Sequence, residues 1–215
     1  MLNIDQWLIK HPFFLALSSN NFSKNAWAMY AEAAAPLVYT VPAFLGITFS
    51  RTDARAKEVL SEVWAEELGM ADNLSHPVLF QNFYQSVTDR WGKYTHLQKI
   101  GVRAGIRMIE LCSSGDWPIG VAAMLAHESQ FPHAYESMLP AAKQDLGDAA
   151  EFFEAHSLVD LEHTETSSKL LDYALTNGIA KEMEVEKSYS ASVELLRSVF
   201  DAVWAEMSTG AYVAQ

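Results

Sequence analysis

EFFEAHSLVDLEHTETSSKLLDYAL, residues 151–175, decides how this chain is read. The stretch has the length and apolar spacing of a core helix, yet it sets His156, Asp160 and His163 inside that pattern. An α-helix advances about 100° per residue, so these three positions share a sector of roughly 60°. Phe152, His156, Val159, His163, Leu170 and Ala174 step by threes, fours and one seven, the spacing of a buried stripe. The stripe therefore carries two imidazoles and a carboxylate inward. Such groups must be hydrogen-bonded, ion-paired or bound to an ion once they leave water. A lone core histidine is ordinary, but two His and an Asp on one apolar stripe point to a metal-binding helix.

The rest of the chain supplies further helices and further ligands. From Ser23, read as an N-cap, a helix runs through Trp27, Tyr30, Ala34, Leu37, Val41, Leu45 and Phe49, bent by Pro36 and Pro42. Glu32 lies within it and is expected to face solvent, outside the site. The apolar run from Ala31 to Phe49 contains Glu32, both prolines and Gly46, so it reads as a buried kinked helix rather than a membrane span. Thr52 to Gly69 forms the next helix and ends in Glu66-Glu67-Leu68-Gly69, where Gly69 supplies a left-handed stop. Glu66 continues the line of Val59 and Val63, while Glu67 continues that of Leu60 and Trp64, so periodicity leaves open which one turns inward. Ser75 caps a following helix that opens with His76 and Pro77.

Thr95 to Leu111 is amphipathic with no chemistry of its own, and Cys112 reads as a small buried hydrophobe. Asp116 caps a helix whose stripe is Val121, Met124, Leu125, Glu128, Phe131 and Tyr135. Pro132 cannot donate to the carbonyl of Glu128, which predicts a kink or opening beside an inward carboxylate. By the same angular count His127 and His133 point outward. A last helix, Lys181 to Met207, packs through Val185, Tyr189, Val193, Leu196, Phe200, Val203 and Met207. No strand alternation or phosphate-binding glycine loop appears. The expected fold is all-α, one domain over residues 1–215.

Composition narrows the partners. A formal charge of −12, with no cluster among the 15 Lys and Arg residues, disfavours nucleic acid. One cysteine permits no intrachain disulfide, and the N-terminus lacks a signal-peptide pattern, so a reducing cytoplasm is expected and no membrane. The inward candidates are Glu66 or Glu67, His76, Glu128, His156, Asp160 and His163. Six mixed His and carboxylate ligands suit two iron ions better than one zinc. Ferritin-like di-iron bundles use Glu-x-x-His pairs, and this chain has none, so another helical scaffold is required.

Glu-Glu-Leu-Gly followed by Ser-His-Pro, a single internal Glu, then His-x-x-x-Asp-x-x-His resembles the heme-oxygenase-like di-iron oxidase and oxygenase superfamily along nearly the whole chain. The resemblance implies a seven-helix bundle of the kind shared by heme oxygenase, TenA and PqqC. It implies dioxygen chemistry at two irons, with Mn as an alternative metal. The substrate would be a small molecule such as a fatty acid or amino acid or, in the CADD branch, the protein's own side chains. By position it places ligands on Glu66, His76, Glu128, His156, Asp160 and His163. TenA-type thiaminases carry a nucleophilic cysteine where this chain reads AAMLAHE, residues 122–128, so thiamin hydrolysis is not expected. A self-modifying route would need a donor tyrosine, for which Tyr30, Tyr84 and Tyr135 are the candidates by placement. Relatives pair, and Trp91 and Trp117 are spare aromatics for an interface, so a homodimer is expected. The competing interpretation is a non-catalytic TenA- or PqqC-like bundle that binds a metal or small ligand.

Overall fold

A computed structural model describes residues 4–20, 22–70 and 74–209. Its helices, in chain order, are α1 (Pro12–Ser18), α2 (Asn25–Val38), α3 (Val41–Arg51), α4 (Ala54–Glu67), α5 (His76–Trp91), α6 (Thr95–Ser113), α7 (Trp117–Glu128), α8 (Phe131–Leu146), α9 (Glu151–Thr176) and α10 (Glu182–Thr209). Among the described residues there is no strand. With α2/α3 and α7/α8 each taken as one interrupted helix and α1 as a short lead-in, the long units number seven, as expected.

Both interruptions have a local cause. Pro36 is tolerated inside α2, and the chain breaks at Tyr39-Thr40, where the Thr40 hydroxyl donates to the Leu37 carbonyl (2.7 Å) and Pro42 restarts the helix as α3. Ser23 contributes its carbonyl to the Ala26 amide (2.8 Å), and no side chain caps α2. Asn25–Arg51 reaches a mean hydropathy of 1.5, long and apolar enough to cross a bilayer. Every residue from 26 to 35 is nevertheless buried against neighbouring helices. The second break falls between Glu128 and Phe131, with Pro132 in the first turn of α8, where the sequence places it. The Ser129 carbonyl freed there accepts from Gln6 Nε2 (2.8 Å), and the Gln130 side chain at the break donates through Nε2 to Asp5 O (2.9 Å). The N-terminal segment is thereby tied to the opened helix.

α4 stops as its sequence predicts. Gly69 lies at φ 68°, with Gly69 N–H on Glu66 O (3.0 Å) and Met70 N–H on Ala65 O (2.8 Å), a Schellman pair. α9 ends the same way at Gly178, φ 67°. These stops matter because Glu66-Glu67 is left at the very end of α4, facing the first residue of α5.

α7 is enclosed by α9, α10, α6 and α3, and all of its residues from Trp117 to Ala126 except Ile119 are buried. α2 lies against α6 so closely that a Cβ on Gly101 would come within 2.1 Å of Ala33 O. An aromatic core of Phe13, Phe14, Trp27, Tyr30, Phe83, Phe153 and Phe200 fills the centre. Trp117 is buried inside the chain and is not available for an interface, whereas Trp91 is half-buried against the core.

Candidate metal centre

Four helices deliver the candidate ligands to one place. α4 contributes Glu66 and Glu67 from its last turn, α5 contributes His76 from its first, α7 contributes Glu128 at its open end, and α9 contributes His156, Asp160 and His163. Glu67, Asp160 and His163 each present a donor atom within 4.8 Å of the others, and all three side chains are buried. His76 Nδ1 lies 2.9 Å from Glu67 Oε1, and the His76 and His156 rings are 4.2 Å apart. His163 Nε2 meets Glu66 Oε2 at 2.8 Å. The Ser167 hydroxyl, one turn beyond His163, donates to Glu128 Oε2 at 2.7 Å and turns that carboxylate toward α9. All six residues named from the sequence thus converge.

The choice between Glu66 and Glu67 resolves into two positions rather than one. Glu67 is the inner carboxylate, with its side chain 12% exposed and in reach of both His76 and His163. Glu66 holds His163 from the rim and is 42% exposed. The two are about 100° apart on α4, and α9 packs across the line between them.

The donor set fits a cation on its own chemistry. His156 Nδ1 sits 2.7 Å from Phe152 O, and a carbonyl can only accept, so the proton is on Nδ1 and the Nε2 lone pair is free. The Nδ1 atoms of His76 and His163 are buried without a hydrogen-bond partner, although each lies near Glu67. With the His163 Nε2 proton directed at Glu66, its Nδ1 lone pair faces a carboxylate oxygen at 3.6 Å, an arrangement that a cation between them resolves.

Electrostatics mark the same cluster. Burial, reinforced by the charges of Glu67 and Glu128, pushes the Asp160 carboxyl well above the usual range. Burial also raises Glu128, with His163 and the Ser167 hydrogen bond acting against it. For Glu67 burial alone would raise the value, but the His76 hydrogen bond and the charges of His76, His156 and His163 together bring it below normal. Burial, then His76, pushes His156 down to about 3.

Beside the cluster lies a cavity of about 90 Å³, lined at one end by Glu67, His76, Glu128, His156 and Asp160 and elsewhere by apolar side chains including Leu37, Val41, Phe44, Met124 and Leu196. Tyr30 and Tyr135 also line it, their hydroxyls 2.6 Å apart, and burial pushes both phenols upward. Tyr84 lies elsewhere, beside Glu32.

Two expectations are corrected. Glu32 does not face solvent: it is fully buried, accepts from Gln98 Nε2 at 2.5 Å, and leaves Oε1 buried without a partner. His127 does not point outward either. It lines the cavity between Phe44 and Phe131, with Nε2 buried and unpartnered, and burial lowers its pKa to about 4. His133 is exposed as expected, and Cys112 is buried with its thiol pushed up to about 11. Ser167 was within reach of the sequence, four residues after His163 on the same stripe.

A seven-unit all-α bundle that gathers buried imidazoles and carboxylates where four helices meet defines a heme-oxygenase-like helical protein with a metal-compatible core. The chain belongs to the iron-containing redox enzyme family, whose model matches residues 28–197. It is 22% identical over 214 residues to a 4-aminobenzoate synthase of Nitrosomonas europaea, covering 92% of this chain and 82% of that one. Its fold is similar to a TenA homologue from P. horikoshii OT3 (TM-score 0.67, 12% identity, 93% of this chain and 92% of the other). It is also similar to a domain of unknown function with a heme oxygenase-like fold from Shewanella denitrificans OS217 (TM-score 0.63, 18% identity, 95% and 90%).

Proposed function

We propose that the chain is a non-heme di-iron oxidase or oxygenase that uses dioxygen to oxidise a small organic substrate held in the cavity beside Glu128 and His156. One observation carries this reading: Glu67, His76, Glu128, His156 and Asp160 line one end of a largely apolar cavity, and His163, 3.6 Å from Glu67, joins Glu66 to them. That set exceeds the four ligands of a structural zinc and contains no sulfur, the preference of non-heme iron, with manganese as the alternative metal. Reduced iron held by these residues would supply the electrons that dioxygen takes up. The chain's own residues do the rest. Phe152 fixes the His156 tautomer, Ser167 orients Glu128, and Phe44, Phe131 and Leu196 give the rest of the cavity an apolar wall for the substrate.

The Tyr30–Tyr135 pair on the same cavity, with a 4-aminobenzoate synthase among the relatives, favours a second reading in which the chain's own tyrosine is the substrate. Metal analysis after expression with iron, followed by anaerobic Fe(II) loading and oxygen exposure, tests the proposal. About two irons per chain, oxygen uptake and a transient visible absorption are expected. One zinc or no metal, with no oxygen uptake by a loaded sample, would leave a non-catalytic bundle instead. Mass spectrometry of the chain after turnover separates the two oxidative readings, since only self-modification changes Tyr30 or Tyr135.

A further inference from the structure

The cavity has two polar features besides its metal-compatible end, and they differ. The Tyr30 and Tyr135 hydroxyls are partnered with each other at 2.6 Å. His127 Nε2 satisfies nothing: it is buried, without a hydrogen-bond partner, on a ring flanked by Phe44 at 6.2 Å and Phe131 at 6.3 Å. A buried polar atom left unpaired is costly, and one that lines a cavity beside a reactive cluster is a natural place for a ligand to complete the bond. His127 and Glu128 are consecutive at the end of α7, so a molecule gripped by His127 is held alongside the cluster rather than away from it.

Charge limits what that molecule is. None of the described residues lining the cavity is Lys or Arg, and none of the undescribed positions is either. Three carboxylates, Glu67, Glu128 and Asp160, already occupy its metal-compatible end. Two divalent ions at that end would be balanced by Glu66, Glu67, Glu128 and Asp160, so with or without metal a ligand carboxylate would find no net counter-charge, and burying it unpaired is unfavourable. A free ammonium would have to lie against the very groups that hold the metals.

We propose that His127 orients the substrate, and that the substrate is a neutral, largely apolar small molecule bearing one hydrogen-bonding group such as a hydroxyl. Calling this ligand a substrate rests on the oxidative function proposed above; the site itself rests on the cavity and the orphaned nitrogen. Among the classes that the family resemblance implies, the inference selects against free fatty acids and amino acids and in favour of neutral molecules, a tyrosine side chain included.

The test uses 1-hexanol and hexanoate, which share an apolar tail and differ in head-group charge, titrated calorimetrically into the metal-free full-length chain. Hexanol is expected to bind saturably and about tenfold or more tighter than hexanoate, the effect of one unpaired buried group. His127→Leu should weaken hexanol about tenfold, and His127→Gln, which keeps a donor and acceptor, should restore most of it. As a measurement that needs no variant, the His127 Nε2 resonance in the ¹⁵N-labelled chain should shift on hexanol addition. Absence of hexanol binding, equal or tighter hexanoate binding, an unshifted Nε2 resonance, or a His127→Leu chain that binds hexanol like the wild type would overturn the inference. A chain that binds hexanol through His127 but takes up no iron supports this site and defeats the di-iron reading. Two irons without hexanol binding does the reverse.

Discussion

Asp160→Asn should move the stability of this protein in opposite directions with and without iron. Without metal, Asp160 is buried and faces the carboxylates of Glu67 and Glu128, which together with burial hold its carboxyl far above the usual range. An amide of nearly the same volume removes that conflict without opening a cavity. The unmodified carboxyl must take up a proton to be buried there and the amide need not, so the relief is on the order of 1 kcal/mol, the worth of about one pKa unit. With metal, the carboxylate is a ligand, and its loss weakens binding by about a hundredfold. At a free Fe(II) concentration one hundred times the wild-type Kd, the wild type gains about 2.7 kcal/mol from binding, whereas the variant, then at its own Kd, gains only about 0.4 kcal/mol. For a chain of this size each kcal/mol is worth roughly 2–4 °C in Tm. The metal-free variant should therefore melt about 2–4 °C above the wild type, while iron lifts the wild type by about 5–10 °C and the variant by about 1–2 °C. Anaerobic scanning calorimetry at one fixed Fe(II) concentration reads both differences. A variant destabilised equally with and without iron would show that Asp160 is a structural acceptor, and the cluster would not be a metal site.

Four further outcomes check other parts of the structure. His163→Ala removes the ring that bridges Glu66 and Glu67 and should abolish binding of at least one iron per chain with the helical circular dichroism unchanged; full iron occupancy would remove His163 from the ligand set. Gly101→Ala forces a Cβ to within 2.1 Å of Ala33 O between α6 and α2, and should cost about 1–3 kcal/mol in urea unfolding despite alanine's better helix propensity, whereas a neutral effect would mean the two helices can separate freely. Because the His127 pKa is about 4 in the folded chain and about 6.5 unfolded, the unfolded state takes up the proton first as pH falls; stability is lost between those values, by up to about 3 kcal/mol, and His127→Gln should flatten that part of the pH profile relative to wild type. Light scattering checks the expected pairing; a clean monomer at micromolar concentration would remove it.

Periodicity and local chemistry were enough for much of this. The inward turn of His156, Asp160 and His163 follows from their spacing, since a helix fixes the angle between residues whatever surrounds it. The stops at Gly69 and Gly178 and the opening beside Glu128 ahead of Pro132 are likewise local, set by which residues tolerate positive φ and which lack an amide proton. What spacing cannot say is which sides of a helix have neighbours. His127 was placed outward on the premise that its helix has an outside, but α7 is packed by α3, α6, α9 and α10 and has almost none. Glu32 reads as solvent-facing because a carboxylate is seldom fully buried, and its partner, Gln98, arrives from 66 residues away on α6. Glu66 and Glu67 were equivalent by angle alone; where α9 crosses the end of α4 made one the inner carboxylate and the other the rim contact to His163. Angles along a helix are encoded by its own residues, whereas burial and partnership belong to pairs of helices, and only their packing decides them.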